Sequence, residues 1–280
     1  MASARRTDMA AELLGDIDEK LGCERGIAVR EMSVDGFPVT DVEVLNETGS
    51  SLIGRGIGSY FTLSLPAGAF DLRACEGVIA KLISQLLPAR HGGRSVVVAA
   101  LGNPDITPDS IGPLCASSLI VSRHLKSAEP SQFSFLSDVA LCRPGVLGTS
   151  GVESAQQILS FCSIVKPSFV VVVDAFACRE AEGLCRSVQI SDTGIAPGSG
   201  VGNDRERIDA DFLGVPVISI GVPTVMDAGR FFSPEGRTTM FVTPRDIDAK
   251  VRRLSRLISR ALNLALHPGL SPEDIDTLLA

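Results

Sequence analysis

The chain has 280 residues, with 26 Lys and Arg against 33 Asp and Glu, for a net charge of −7. That balance excludes a dedicated nucleic-acid binder, which needs a concentrated basic face, and a content of 45% hydrophobic and 21% charged residues excludes a disordered chain. Seven scattered cysteines without a C-x-x-C pair exclude a disulfide framework or zinc ribbon and suit reduced thiols in the cytoplasm.

No apolar run approaches the length of a bilayer span, and the N-terminus carries no signal-like stretch, so a soluble intracellular protein is expected. In the opening segment, Met9, Leu13, Leu14, Ile17 and Leu21 recur at helical spacing after a Thr7 cap. From Gly26 to Leu65 short alternating runs predict strands and hairpins, with GRGIGS at Gly54–Ser59 read as a hairpin turn. A helix from about Asp71 to Leu87 leads into a buried strand at Ser95–Gly102. Two more such strands are centred on Val170 and Val217, with a helix at Val152–Val165 between the first and second. The last helix is expected to open with Thr243 as cap and Pro244 in its first position.

Aromatic residues are scarce, at 5% with no Trp and one Tyr, so the core must be aliphatic. Together with alternating strands and helices, this predicts an α/β fold: one domain with a mostly parallel sheet flanked by helices on both faces, and residues 26–65 as a β-rich elaboration.

Reactive groups in such a sheet gather at the carboxyl ends of the strands. That rule selects Asp109, which follows the first buried strand in GNPDITPDSIGP, where Thr107 and Pro108 resemble a helix cap and first position and Pro113 predicts a short or bent helix. It also selects Asp174, directly after four valines, where an ionised side chain needs a partner. Two carboxylates at neighbouring strand ends can share a proton, one activating water and the other polarising a carbonyl. The competing readings are a helix-terminus carboxylate for Asp109 and a structural acid for Asp174.

The glycine-rich loop Ser191–Asn203 is suited to close approach by a substrate backbone, and lacks the Lys of a phosphate-binding loop. His91, His124 and His267 have no metal-ligand or triad spacing, and Cys178 reads as a small buried residue. A carboxylate-based hydrolase therefore leads. A metal-dependent hydrolase using the same acids and a non-catalytic binding protein on the same fold remain as alternatives.

The blocks RTDMAAE (Arg6–Glu12), GNPDITPDSIGP (Gly102–Pro113), RPGVLGTSGVES (Arg143–Ser154), VVVVDAFACR (Val170–Arg179), QISDTGIAPGSGVGN (Gln189–Asn203), LGVPVISIGVPTVMDA (Leu213–Ala228) and VTPRDID (Val242–Asp248) resemble, in order, the germination protease of bacterial spores. The resemblance implies an endopeptidase that degrades small acid-soluble spore proteins in the spore core during germination, needs no cofactor, and has a fold similar to hydrogenase-maturation endopeptidases. It places the catalytic pair on Asp109 and Asp174. It also implies a homotetramer and a precursor that loses a short N-terminal piece, here residues 1–8, at the bond between Asp8 and Met9. A preference for an acidic residue before the cut implies a basic pocket, for which Arg123, Arg143 and Arg179 are candidates. Contact with DNA would be indirect, through the substrates.

Overall fold

The computed structural model describes residues 7–14, 25–68, 70–88, 95–202, 205–229 and 240–280. One open sheet carries nine strands among them: β1 Ile27–Val34, β2 Phe37–Val44, β3 Gly58–Ser64, β4 Ser95–Ala100, β5 Asp138–Cys142, β6 Phe169–Cys178, β7 Ser187–Ser191, β8 Val217–Asp227 and β9 Phe241–Val242. Their order is β1-β2-β3-β7-β8-β6-β4-β5, with β9 paired to β8. Strands β8, β6, β4 and β5 run parallel, and β1, β2, β3 and β7 extend the sheet in antiparallel register.

The sheet is thus mixed, and the β-rich region at 26–65 continues it edge to edge. The strands β5 and β7 have no counterpart among the sequence-predicted elements. The predicted N-terminal helix is a 3-10 turn at Ala11–Leu13, and its continuation through 15–24 lies outside the described residues.

The helices among the described residues are α1 Glu47–Ile53, α2 Leu72–Leu86, α3 Ile111–Ala116, α4 Arg123–Ala128, α5 Leu147–Ser150, α6 Ser154–Val165, α7 Ala210–Leu213, α8 Ile247–Leu266 and α9 Pro272–Leu278. Their starts follow side-chain chemistry. Asn46 accepts from the Gly49 amide to cap α1, and Asp71 accepts from the Arg73 and Ala74 amides to cap α2. Gly54 is the left-handed cap of α1, so GRGIGS joins a helix to β3 and is not a hairpin turn. Thr243 likewise does not cap α8: its hydroxyl donates to the Thr224 carbonyl, and the helix begins four residues later with Asp246 at the cap position.

Both faces of the parallel strands are buried, which explains their near-continuous Val and Ile runs. Side chains alternate along β6: Val171 and Val173 join the apolar cluster that holds Val78 and Ile79 of α2 and Leu257 and Ile258 of α8. Val170 and Val172 join the opposite cluster with Ile158 of α6. Each fully buried Val or Ile contributes roughly 1.5–3 kcal/mol, so these two layers dominate the stability of the sheet. The partners of β4 lie on opposite sides, β5 reached by one crossover and β6 by the next. The carboxyl ends of β4 and β6 therefore border the crevice where an open α/β sheet binds its ligands.

Candidate active site

Asp109 is brought back against the end of β4 by the turn at Gly102. With φ of +115° and a space in which a Cβ would stand 2.0 Å from the Asp109 carbonyl oxygen, only glycine fits there. The Asn103 amide donates to Asp109 Oδ2 at 2.9 Å, and Asn103 Oδ1 accepts from the Asp105 amide at 3.0 Å, so the carboxylate and its loop order each other. Thr107, Pro108 and Asp109 form a 3-10 turn of their own ahead of α3. Asp109 is therefore not in the first turn of a capped α-helix, whereas α3 is short, as Pro113 predicts.

Asp174 lies within β6, opposite Gly221 of β8, and is 5% exposed. Its Oδ1 accepts from the Ala175 amide at 2.8 Å. Burial pushes its pKa well above the ordinary 3.8, and the charge of Asp109 pushes it further; the Ala175 amide opposes the rise and Asp8 adds a smaller push. The pKa of Asp109 is also raised by burial, against the lowering effect of the Asn103 amide. Both carboxyl groups line one cavity of about 580 Å³ at the carboxyl ends of β4 and β6. Burial and the field of its half-buried neighbour thus raise the proton affinity of Asp174 more than that of Asp109.

Glu153 and Glu206 also line this cavity, as does Asp8. The N-terminal segment reaches it by pairing with the end of β6. The Asp8 amide donates to the Ala177 carbonyl at 2.8 Å, and the Ala177 amide donates back to Asp8 Oδ2 at 2.9 Å. Met9 is 2% exposed, in the apolar cluster with Ala99, Leu101 and Phe176. Glu12 accepts from the Arg179 amide at 2.6 Å and the Glu180 amide at 3.0 Å. Asp8 of the expected processing bond thus lines the same cavity as the expected catalytic pair, and Met9 is buried in the apolar cluster with Leu101 and Phe176, which also line it.

Other candidates fall elsewhere. His267 is fully buried, accepting from the Ser137 amide through Nδ1, and His124 is an exposed residue of α4; His91 lies outside the described residues. Burial pushes the Cys178 thiol up to about 12, which suits a packing residue and not a nucleophile. Arg123 pairs with Asp138, Arg179 pairs with Glu180, and Arg143 lines a neighbouring cavity. Among the described residues no group of three or more His, Cys, Asp or Glu side chains is arranged to hold a metal ion. None of the described helices is long and apolar enough to cross a membrane.

Two residues at the site escaped sequence reasoning. Ser199, in the glycine-rich loop, donates to Asp8 Oδ1 at 2.6 Å, and the Arg55 guanidinium stands 4.0 Å from the same oxygen. The only sequence signal for Arg55 was its place between two glycines, which resembled an ordinary turn.

Residues 5–234 match the family model described as Germination protease. The chain is 35% identical to the germination protease of Caldanaerobacter subterraneus subsp. tengcongensis, with 98% of each chain covered. It is 33% identical to that of Clostridium tetani, covering 98% of this chain and 99% of the relative. A Bacillus mycoides germination protease is 37% identical over 80% of this chain and 63% of its own length.

Proposed function

This chain belongs to the germination protease family, and from that premise we propose that it hydrolyses peptide bonds with a water molecule held between Asp109 and Asp174. The observation that carries this reading is the shared cavity of the two acids, together with the field of Asp109 at Asp174. Asp109, hydrogen-bonded to the Asn103 amide, is the ionised member and takes a proton from the water as its oxygen attacks the carbonyl carbon. Asp174, with the higher pKa, gives its proton to the carbonyl oxygen, producing a neutral tetrahedral diol. The C–N bond then breaks as Asp109 passes its proton to the leaving nitrogen, and one diol hydroxyl returns a proton to Asp174. Atoms and charges close with no covalent intermediate and no cofactor.

The substrates in this proposal are small acid-soluble spore proteins in the spore core, and the acting form is a homotetramer. The placement of Asp8 at the cavity and the burial of Met9 beside it support processing of a precursor at the bond between them. The decisive test incubates the chain and its Asp109→Asn and Asp174→Asn forms with a small acid-soluble spore protein, with and without chelator, and maps the cut sites. Cleavage by the unaltered chain alone, indifferent to chelator, is the expected result. Near-normal rates in either variant overturn the aspartate pair, and loss on chelation with recovery on adding a divalent ion replaces it with metal-dependent hydrolysis.

A further inference from the structure

The Asp8 carboxylate sits in a tailored seat. One oxygen accepts from the Ser199 hydroxyl at 2.6 Å, and the other accepts from the Ala177 amide at 2.9 Å. The Arg55 guanidinium, 4.0 Å away, supplies positive charge and also donates to the Thr7 carbonyl. Gly200 closes the seat from the loop side. A Cβ there would stand 2.2 Å from Asp8 Oδ2, so the carboxylate occupies the space that any larger residue would fill. The seat opens onto a cavity lined by four other acids, Asp109, Glu153, Asp174 and Glu206, where another carboxylate would be repelled without such donors.

The backbone at Asp8 is tied to the edge of β6 just before the chain enters the 3-10 turn at Ala11–Leu13. Asp8 exchanges its amide and side chain with the two backbone groups of Ala177, and Gln189 holds Asp8 and Ala10, donating to the Asp8 carbonyl at 3.1 Å and accepting from the Ala10 amide at 2.6 Å. An extended peptide on a sheet gains affinity from such main-chain bonds and specificity from side-chain pockets. Nothing in these bonds requires the peptide to be part of the same chain.

We propose that Ser199, the Ala177 amide and Arg55 form the pocket that selects an acidic side chain in the substrate, and that residues 7–12 occupy it in cis as a copy of the substrate. This rests on the proteolytic reading above and adds the specificity-determining residues to it. The glycine-rich loop gains a role: Gly200 lets the substrate carboxylate approach, and Ser199 beside it makes the shortest of the side-chain contacts.

The test uses two labelled peptides, Arg-Thr-Asp-Met-Ala-Ala-Glu and the same sequence with Asn in place of Asp. Each is titrated against the full chain carrying Asp8→Asn, whose own segment no longer competes with a carboxylate. The acidic peptide is expected to bind about tenfold tighter or better, because an unmatched charged acceptor site discriminates strongly against a neutral isostere. Adding Ser199→Ala and Arg55→Gln is expected to reduce that ratio to about twofold or less. Equal binding of the two peptides, no binding of either, or a ratio that survives both added substitutions overturns the pocket. The protein is the same in both arms of the first comparison, so a difference between them comes from the peptide alone. Products are scored separately in the same samples: selective binding without cleavage overturns the aspartate-held water alone, and equal cleavage of both peptides overturns the pocket alone.

Discussion

Asp109 and Asp174 face one cavity from different elements, and the charge of Asp109 is second only to burial among the causes that raise the Asp174 pKa. Replacing Asp109 by Asn removes that charge while leaving Asp174 buried. The Asp174 pKa should therefore fall in the Asp109→Asn chain yet stay above 3.8, because burial, the larger cause, is unchanged. Carboxyl NMR titration of both proteins measures this directly, and an Asp174 titration that does not move would show that the two groups do not feel each other.

Asp174→Asn should move activity and stability in opposite directions. Removing the proton donor is expected to cost about 10²–10⁴ in kcat/KM. Stability has the other sign. An acid whose folded pKa is raised stabilises the fold fully only below its unfolded pKa, here 3.8, and that contribution is lost as pH rises through the folded value. At neutral pH the native chain therefore carries a penalty that Asn lacks. Thermal unfolding should give the variant the higher Tm at pH 7, by roughly 2–4 °C per kcal/mol relieved, with the gap closing toward pH 3.5. A lower Tm at pH 7 would contradict the buried-acid account.

His267 predicts acid sensitivity at a distance from the cavity. Its Nδ1 accepts from the Ser137 amide at 3.2 Å, so the ring proton is on Nε2, which faces the Ile120 carbonyl at 3.1 Å. Burial, chiefly, lowers its pKa below the ordinary 6.5. The unfolded chain thus takes up a proton below about pH 6.5 that the folded chain refuses, and stability falls from there down to the folded value. Urea unfolding at pH 7.5 and 5.5 should show His267→Gln less stable at the higher pH, by about 1–3 kcal/mol for the disturbed buried bonds, but with a smaller loss between the two. An unchanged loss would assign the acid sensitivity to other groups.

What could be read from the residues depended on how local the cause was. The valine run before Asp174 is local, and strand-end reasoning selected two acids that line one cavity. The apparent cap at Thr243 failed because a tertiary partner outcompeted the local one, its hydroxyl turning to the Thr224 carbonyl, and the one at Thr107 failed because Thr107–Asp109 close a 3-10 turn of their own. The strands β5 and β7 are only five residues each, too short for their pattern to stand out from neighbouring turns. Arg55 and Ser199 were illegible for a stronger reason. Their role exists only where Asp8 meets Ala177, 169 residues later, and no window of sequence contains that pairing.

Three glycines separate local propensity from tertiary contact. Gly77 in α2 has nothing within 4 Å of a would-be Cβ, so Gly77→Ala should stabilise by about 0.5–1 kcal/mol through helix propensity alone. Gly112 in α3 would drive a Cβ to 2.1 Å from the Leu101 carbonyl oxygen and 2.9 Å from that of Val173, both immovable backbone. Gly112→Ala should therefore destabilise by about 1–3 kcal/mol and disturb Asp109 at the end of the preceding turn. Gly200 differs from both. Its φ lies outside the left-handed region, so alanine meets no backbone strain, and the clash is with the Asp8 carboxylate at 2.2 Å and the Ala177 Cβ at 2.8 Å. Gly200→Ala should leave global unfolding nearly unchanged while releasing the N-terminal segment, because expelling Asp8 breaks the pair of bonds it makes with Ala177. Amide exchange at Asp8 and Ala177 should then quicken at least tenfold while β4 and β6 upstream of Asp174 stay protected, a pattern that corresponds to about 1.4 kcal/mol of local opening. Uniform exchange changes across the sheet would instead mark Gly200 as a general packing position and detach it from the seat of the carboxylate.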